Sequence, residues 1–156
     1  MIRDKMKYSE KVSNKLNELL EKTYDAEKGY RLAQDKVDNP SIKKFFGERV
    51  QQRYNFGHEL KTEISSFGQL PEKGGSVKGS IHRTWMNLTS SLSSNEEERM
   101  LEEVARGEKK TVEEYNEILN NDEFVLPEST RQLLTRQRDA IQASIEVAKK
   151  YEELVS

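Results

Sequence analysis

The stretch VSNKLNELLEKTYDAEKGYRLAQDKV, residues 12–37, places apolar or small side chains at Val12, Leu16, Leu19, Thr23, Ala26, Tyr30, Ala33 and Val37. The steps alternate between four and three, which keeps them all on one face of a helix with 3.6 residues per turn. The same spacing returns at Ile42, Phe46, Arg49, Arg53, Phe56, Leu60 and Ile64. It returns again at Leu101, Val104, Glu108, Thr111, Tyr115 and Ile118, and more loosely at Leu134, Gln137, Ile141, Ile145, Ala148 and Tyr151. Strand-like alternation is missing, so the spacing predicts an all-α chain of four long helices.

Punctuation sets the connections. Asn39-Pro40 offers a capping side chain followed by proline in a first helical turn, and Pro127 opens a helix with Glu128 at the positive end of its dipole. The first two helices meet at Asp38-Asn39 and the last two at about residues 121–126. Joins this short make antiparallel hairpins. Gly68, Gly74, Gly75 and Gly79 mark the one extended break, about residues 68–95, which is long enough to cross the bundle. Two antiparallel hairpins joined by a long crossover is the arrangement of ferritin-like four-helix bundles. Within the crossover Ile81, Trp85, Leu88 and Leu92 are spaced for a short fifth helix over about residues 77–92, with the Trp85 indole packed on the bundle. The whole chain, 1–156, reads as a single domain, with residues 1–8 frayed at its N-terminus.

Composition closes off several functions. Charged residues make up 35% of the chain and hydrophobic ones 33%, mixed in sign along periodic apolar positions, as long amphipathic helices require. A net charge of -2 with no long basic run argues against nucleic acid. No apolar run approaches the roughly 20 residues of a membrane helix, and Met1-Ile2-Arg3-Asp4-Lys5 leads into no signal region, so the expected setting is cytoplasmic. Cysteine is absent, which excludes disulfides, thiolate metal sites and cysteine nucleophiles. Neither His58 nor His82 has a nucleophile signature beside it, and the glycines of residues 74–79 lack P-loop spacing.

Polar residues interrupt the middle of each apolar stripe. Ala26-Glu27-Lys28 aligns with Gly107-Glu108-Lys109, and Gln52-Arg53 with Gln137-Arg138, so the hairpins repeat each other weakly. Glu27, Gln52, Arg53, Glu108, Gln137 and Arg138 are expected to form one buried polar layer. A carboxylate-bridged dimetal centre needs a Glu from each of two helices and Glu-x-x-His from each of the other two. Glu27 and Glu108 fit the first requirement, whereas Gln52-x-x-Asn55 and Gln137-x-x-Ala140 stand at the second. Amides have replaced carboxylates, the histidines are gone, and Arg53 and Arg138 bring positive charge. The expectation is therefore no metal, no cofactor and no catalytic residue, with Glu27 and Glu108 paired to Arg53, Arg138 or Arg49. The alternative is an atypical metal-binding protein, for iron or another divalent cation, using Glu27 and Glu108. A third reading is a small apolar ligand beside the layer.

The stretches Asp25-Ala26-Glu27-Lys28-Gly29-Tyr30, Glu48-Arg49-Val50-Gln51-Gln52-Arg53 and Glu102-Glu103-Val104-Ala105-Arg106-Gly107-Glu108 resemble a bacterial ferritin-like four-helix-bundle family catalogued as a domain of unknown function. So does the run from Gly75 to Trp85, whose Gly-x-x-x-Gly-x-x-His-Arg-x-Trp pattern is the most specific part, and the resemblance extends from about residue 10 to 152. It implies no established activity. Similar chains carry a histidine late in the last helix where Ser144 stands here. The functional expectation is a non-catalytic bundle with a degenerate dimetal site. It acts through contacts with a protein partner of unassigned identity, or with a second copy in a homodimer, and has a superfamily association with stress. His82, Arg83 and Trp85 are the expected partner contact.

Overall fold

The computed structural model describes residues 2–72, 97–123 and 125–155, with the side chains of the first helix described from residue 8. Among them are four helices and no strand: α1 (Ile2–Lys36), α2 (Pro40–Ser66), α3 (Glu97–Leu119) and α4 (Glu128–Val155). The predicted crossover helix, with His82, Arg83 and Trp85, lies outside the described residues.

The helix ends follow the local chemistry. Asn39 Oδ1 accepts from the backbone N–H of Ser41 at 2.9 Å and of Ile42 at 3.2 Å, and Pro40 begins α2 where its missing N–H costs nothing. At the other end of α2 the Phe67 and Gly68 amides turn back to Ile64 and Ser65, and Gly68 adopts a positive φ of 74°. That left-handed conformation suits glycine and closes the helix. The Pro127 carbonyl accepts the Arg131 N–H at 2.9 Å and starts α4. Helix α1 begins at Ile2, and within it Tyr8 packs on the core and donates to the Val125 carbonyl.

Cross-helix contacts give the topology. Asn17, in the first half of α1, holds the chain just past α2 by donating to the Leu70 carbonyl at 3.2 Å and accepting from the Glu72 N–H at 2.8 Å. Helices α1 and α2 are therefore antiparallel. Lys22–Glu114 at 2.7 Å and Tyr30–Glu108 at 2.9 Å set α3 antiparallel to α1. Arg49–Ser144 at 2.8 Å and Glu63–Thr130 at 2.6 Å set α4 antiparallel to α2. Glu97 accepts the Asn39 N–H at 3.3 Å, so α3 begins beside the α1–α2 turn, at the far end of the bundle from where α2 finishes. At 27 residues, α2 spans about 40 Å. The order is up, down, down, up. The apolar stripes, including Leu16, Leu19, Phe46, Leu60, Leu101 and Leu134, meet in one fully buried core.

Candidate functional site

The interior polar groups follow the stripes. Arg53, Glu108 and Gln137 stand on the stripes of α2, α3 and α4, and each is at most 1% exposed. Glu27, Gln52 and Arg138 each sit one residue off a stripe, a rotation of about 100°, and are only partly buried. The expected layer is thus corrected for these three. In α1 the interior position belongs to Tyr30, with Thr23 and Ala26 beside it on the same face.

Two clusters replace the single layer. In the first, Arg53 Nη2 donates to Glu108 Oε2, and the Tyr30 hydroxyl donates to the same oxygen at 2.9 Å. The Arg53 guanidinium also lies 5.7 Å from the Tyr30 ring centre and 5.9 Å from that of Phe56, within cation–π range. In the second, the Tyr115 hydroxyl donates to Gln137 Oε1 at 2.7 Å, and Gln137 Nε2 donates to Glu59 at 3.0 Å and to the Phe56 carbonyl at 3.4 Å. Tyr115 follows Glu108 by two helical turns, roughly 10 Å along α3, so Gln137 binds Tyr115 and Glu59 rather than Gln52, Glu27 or Glu108.

The remaining polar residues find nearer partners. Glu27 is bound by Arg31 on its own helix at 2.8 Å, with its side chain 20% exposed. Arg138 donates to Asn116 at 2.9 Å and to Asp139. Arg49 donates to Ser144 Oγ at 2.8 Å and stacks over Phe45, so the Ser144 position is filled from α2 by an arginine contact. The pairing expected for Glu108 is present, with Arg53, whereas Glu27 pairs with Arg31 rather than with Arg53, Arg138 or Arg49, so the two carboxylates face different surroundings.

Burial fixes protonation. It raises the Tyr30 hydroxyl well above its ordinary value, and the neighbouring Glu108 charge raises it further. Tyr115 is raised in the same way, mainly by burial. Burial alone would lower Arg53, but Glu108 with Tyr30 and Tyr115 outweighs it, and the guanidinium stays above its ordinary value. The first cluster holds the Arg53 cation, Glu108 and the neutral Tyr30 phenol. A dimetal centre requires bridging carboxylates and imidazoles around two divalent ions. Among the described residues Glu108 Oε1 is the cluster's one carboxylate oxygen without a hydrogen-bond partner, and a fixed cation lies against Oε2, so this donor set does not fit such a centre.

Sequence reading passed over three features. Asp25 is buried in α1. Glu98, Glu102 and Glu152 come within 4.8 Å of one another where α3 meets α4. There Glu152 is held above its ordinary value by burial, by a hydrogen bond with Glu102 and by the charges of Glu102 and Glu98. A narrow cleft opens between α1 and α2 around Gly57. Glycine inside the predicted helix was the one visible sign of that cleft, and the glutamates, far apart in sequence, had none.

The family described as Domain of unknown function (DUF2383) matches residues 11–121. No curated protein sequence matches the chain. In structure the chain is similar to the C-terminal deletion mutant of Mycobacterium smegmatis Dps, with a TM-score of 0.74, 13% identity, and coverage of 90% of this chain and 96% of that one. It is also similar to a conserved hypothetical protein from Mycobacterium tuberculosis, with a TM-score of 0.69, 11% identity, and coverage of 88% and 94%. The fold is the ferritin-like four-helix bundle. Among the described residues no helix is long and apolar enough to cross a membrane.

Proposed function

We propose that this chain, which belongs to the DUF2383 family, is a non-catalytic ferritin-like bundle that works in the cytoplasm through protein contacts, with a partner or with a second copy of itself. The observation that carries the reading is Arg53. Its buried guanidinium sits on Glu108, so a resident side chain supplies the positive charge that a metal ion would supply. A divalent ion placed there would be repelled by Arg53 and, among the described residues of the cluster, would find one carboxylate oxygen without a hydrogen-bond partner. Expelling Arg53 to make room would strand a charge in the core, which is costly. We extend the same proposal to a role in stress.

The test is to incubate the protein with ferrous iron and oxygen beside a protein-free control. Oxidation should proceed at the control rate. Saturable acceleration that disappears in Glu108→Ala would overturn the reading. Light scattering after size exclusion, together with cross-linking in cells, reads the contact half of the proposal. A monomer that captures nothing under stress or in its absence would count against it.

A further inference from the structure

A cleft of about 240 Å³ lies between α1 and α2, lined by Tyr24, Glu27, Lys28, Tyr54, Gly57, His58 and Lys61. Gly57 forms its floor. A Cβ built there would meet Leu20, Tyr24 and Thr23 only at 3.9–4.0 Å, so the missing side chain is what leaves the space open. One wall is the Tyr24 ring, whose hydroxyl is anchored to the Glu72 carbonyl at 3.3 Å. The opposite wall is Tyr54 with His58, whose rings meet edge to face at 4.7 Å. Tyr54 is 50% exposed, so this aromatic surface faces solvent rather than the core.

Two ammonium groups and one carboxylate line the cleft. Lys61 Nζ sits 5.3 Å over the Tyr24 ring, and Lys28 borders the same space. The nearby carboxylate, Glu27, is already taken by Arg31 at 2.8 Å. The cleft is therefore locally positive in a chain whose net charge is -2. A larger groove between α2 and α4, of about 650 Å³, lacks this character. Its carboxylates, Glu59 and Glu63, are satisfied by Arg136, Ser129 and Thr130.

We propose that the cleft over Gly57 binds a small planar anion: a single aromatic ring carrying one acidic group. The ring lies over Gly57 against Tyr54 and His58, and the acidic group faces Lys61 and Lys28. The ring faces supply contact without a hydrogen-bond code, and the ammonium groups select the charge. The volume is ample for one ring with its acidic group.

The experiment titrates the full-length protein with benzoate and with phenyl phosphate, which separate carboxylate from phosphate as the acidic group. Cyclohexanecarboxylate keeps the charge without the ring, and benzamide keeps the ring without the charge. Binding is followed by NMR at the Gly57 amide and the Tyr54 and His58 rings. At least one aromatic anion should shift these signals saturably and bind about fivefold or more tighter than both controls. Lys61→Met should weaken it about fivefold, and Gly57→Leu should abolish it. If Gly57→Leu fails to fold, Lys61→Met alone decides. Absence of saturable shifts, equal binding of the controls, or binding untouched by Lys61→Met would each overturn the proposal.

Discussion

Arg53 is the residue on which the interior depends, because it joins a charge on α2 to a charge on α3 with both ends buried. Removing one partner strands the other, so Arg53→Met and Glu108→Gln should each cost about 3–5 kcal/mol in denaturant unfolding. Replacing both with apolar residues should recover most of that loss, since an apolar pair avoids the desolvation. A double variant as unstable as the sum of the singles would show that packing, not charge, sets the cost. Glu27→Gln should change stability by about 0.5 kcal/mol or less, because its partner Arg31 lies one turn away in solvent. The buried phenols predict the alkaline behaviour. Tyr30 and Tyr115 keep their protons in the folded state above the pH, about 10, where an unfolded tyrosine loses them. The folded state then binds more protons than the unfolded one, so stability is complete below about pH 10 and falls as pH rises beyond it. Unfolding midpoints across that range should fall less steeply for Tyr30→Phe. An unchanged slope would remove Tyr30 from the explanation.

At the scale of the elements, glycines and termini offer the clearest tests. Gly57 lies inside α2, where a Cβ would make only ordinary contacts, so Gly57→Ala should stabilise by up to about 1 kcal/mol. Gly68 has a φ of 74°, and Gly68→Ala should cost roughly 1 kcal/mol through backbone strain. Opposite signs from two identical substitutions would separate helix propensity from turn geometry, and equal signs would contradict the assigned C-terminus of α2. Where α3 meets α4, Glu152 holds its proton to higher pH than an unfolded glutamate. Its folded state binds the extra proton, so its contribution is lost as pH rises above about 4.3 and stays lost at neutrality. Glu152→Gln should therefore raise the unfolding midpoint at pH 7 and leave it nearly unchanged below about pH 4. A gain at low pH instead would point to packing rather than charge.

Over the whole molecule, what the sequence by itself determined is local and periodic. The alternating steps of three and four set helix type and the buried face, and Asn39-Pro40, Gly68 and Pro127 set the ends. The short joins set the hairpins. Even the burial of Arg53, Glu108 and Gln137 was legible, since each continues a stripe; Glu27, Gln52 and Arg138 stood one step off and are only partly buried by the same rule. The tertiary structure alone decided which groups meet. Glu108 faces Arg53 rather than Arg49 or Arg138, Gln137 answers Tyr115, and Glu98 and Glu102 approach Glu152 across two helices. Periodicity specifies the face of one helix but not the height at which a neighbour crosses it or how far that neighbour is rotated. Those quantities come from packing all four stripes into one core, and at that level a position that could have held a metal ligand receives an arginine.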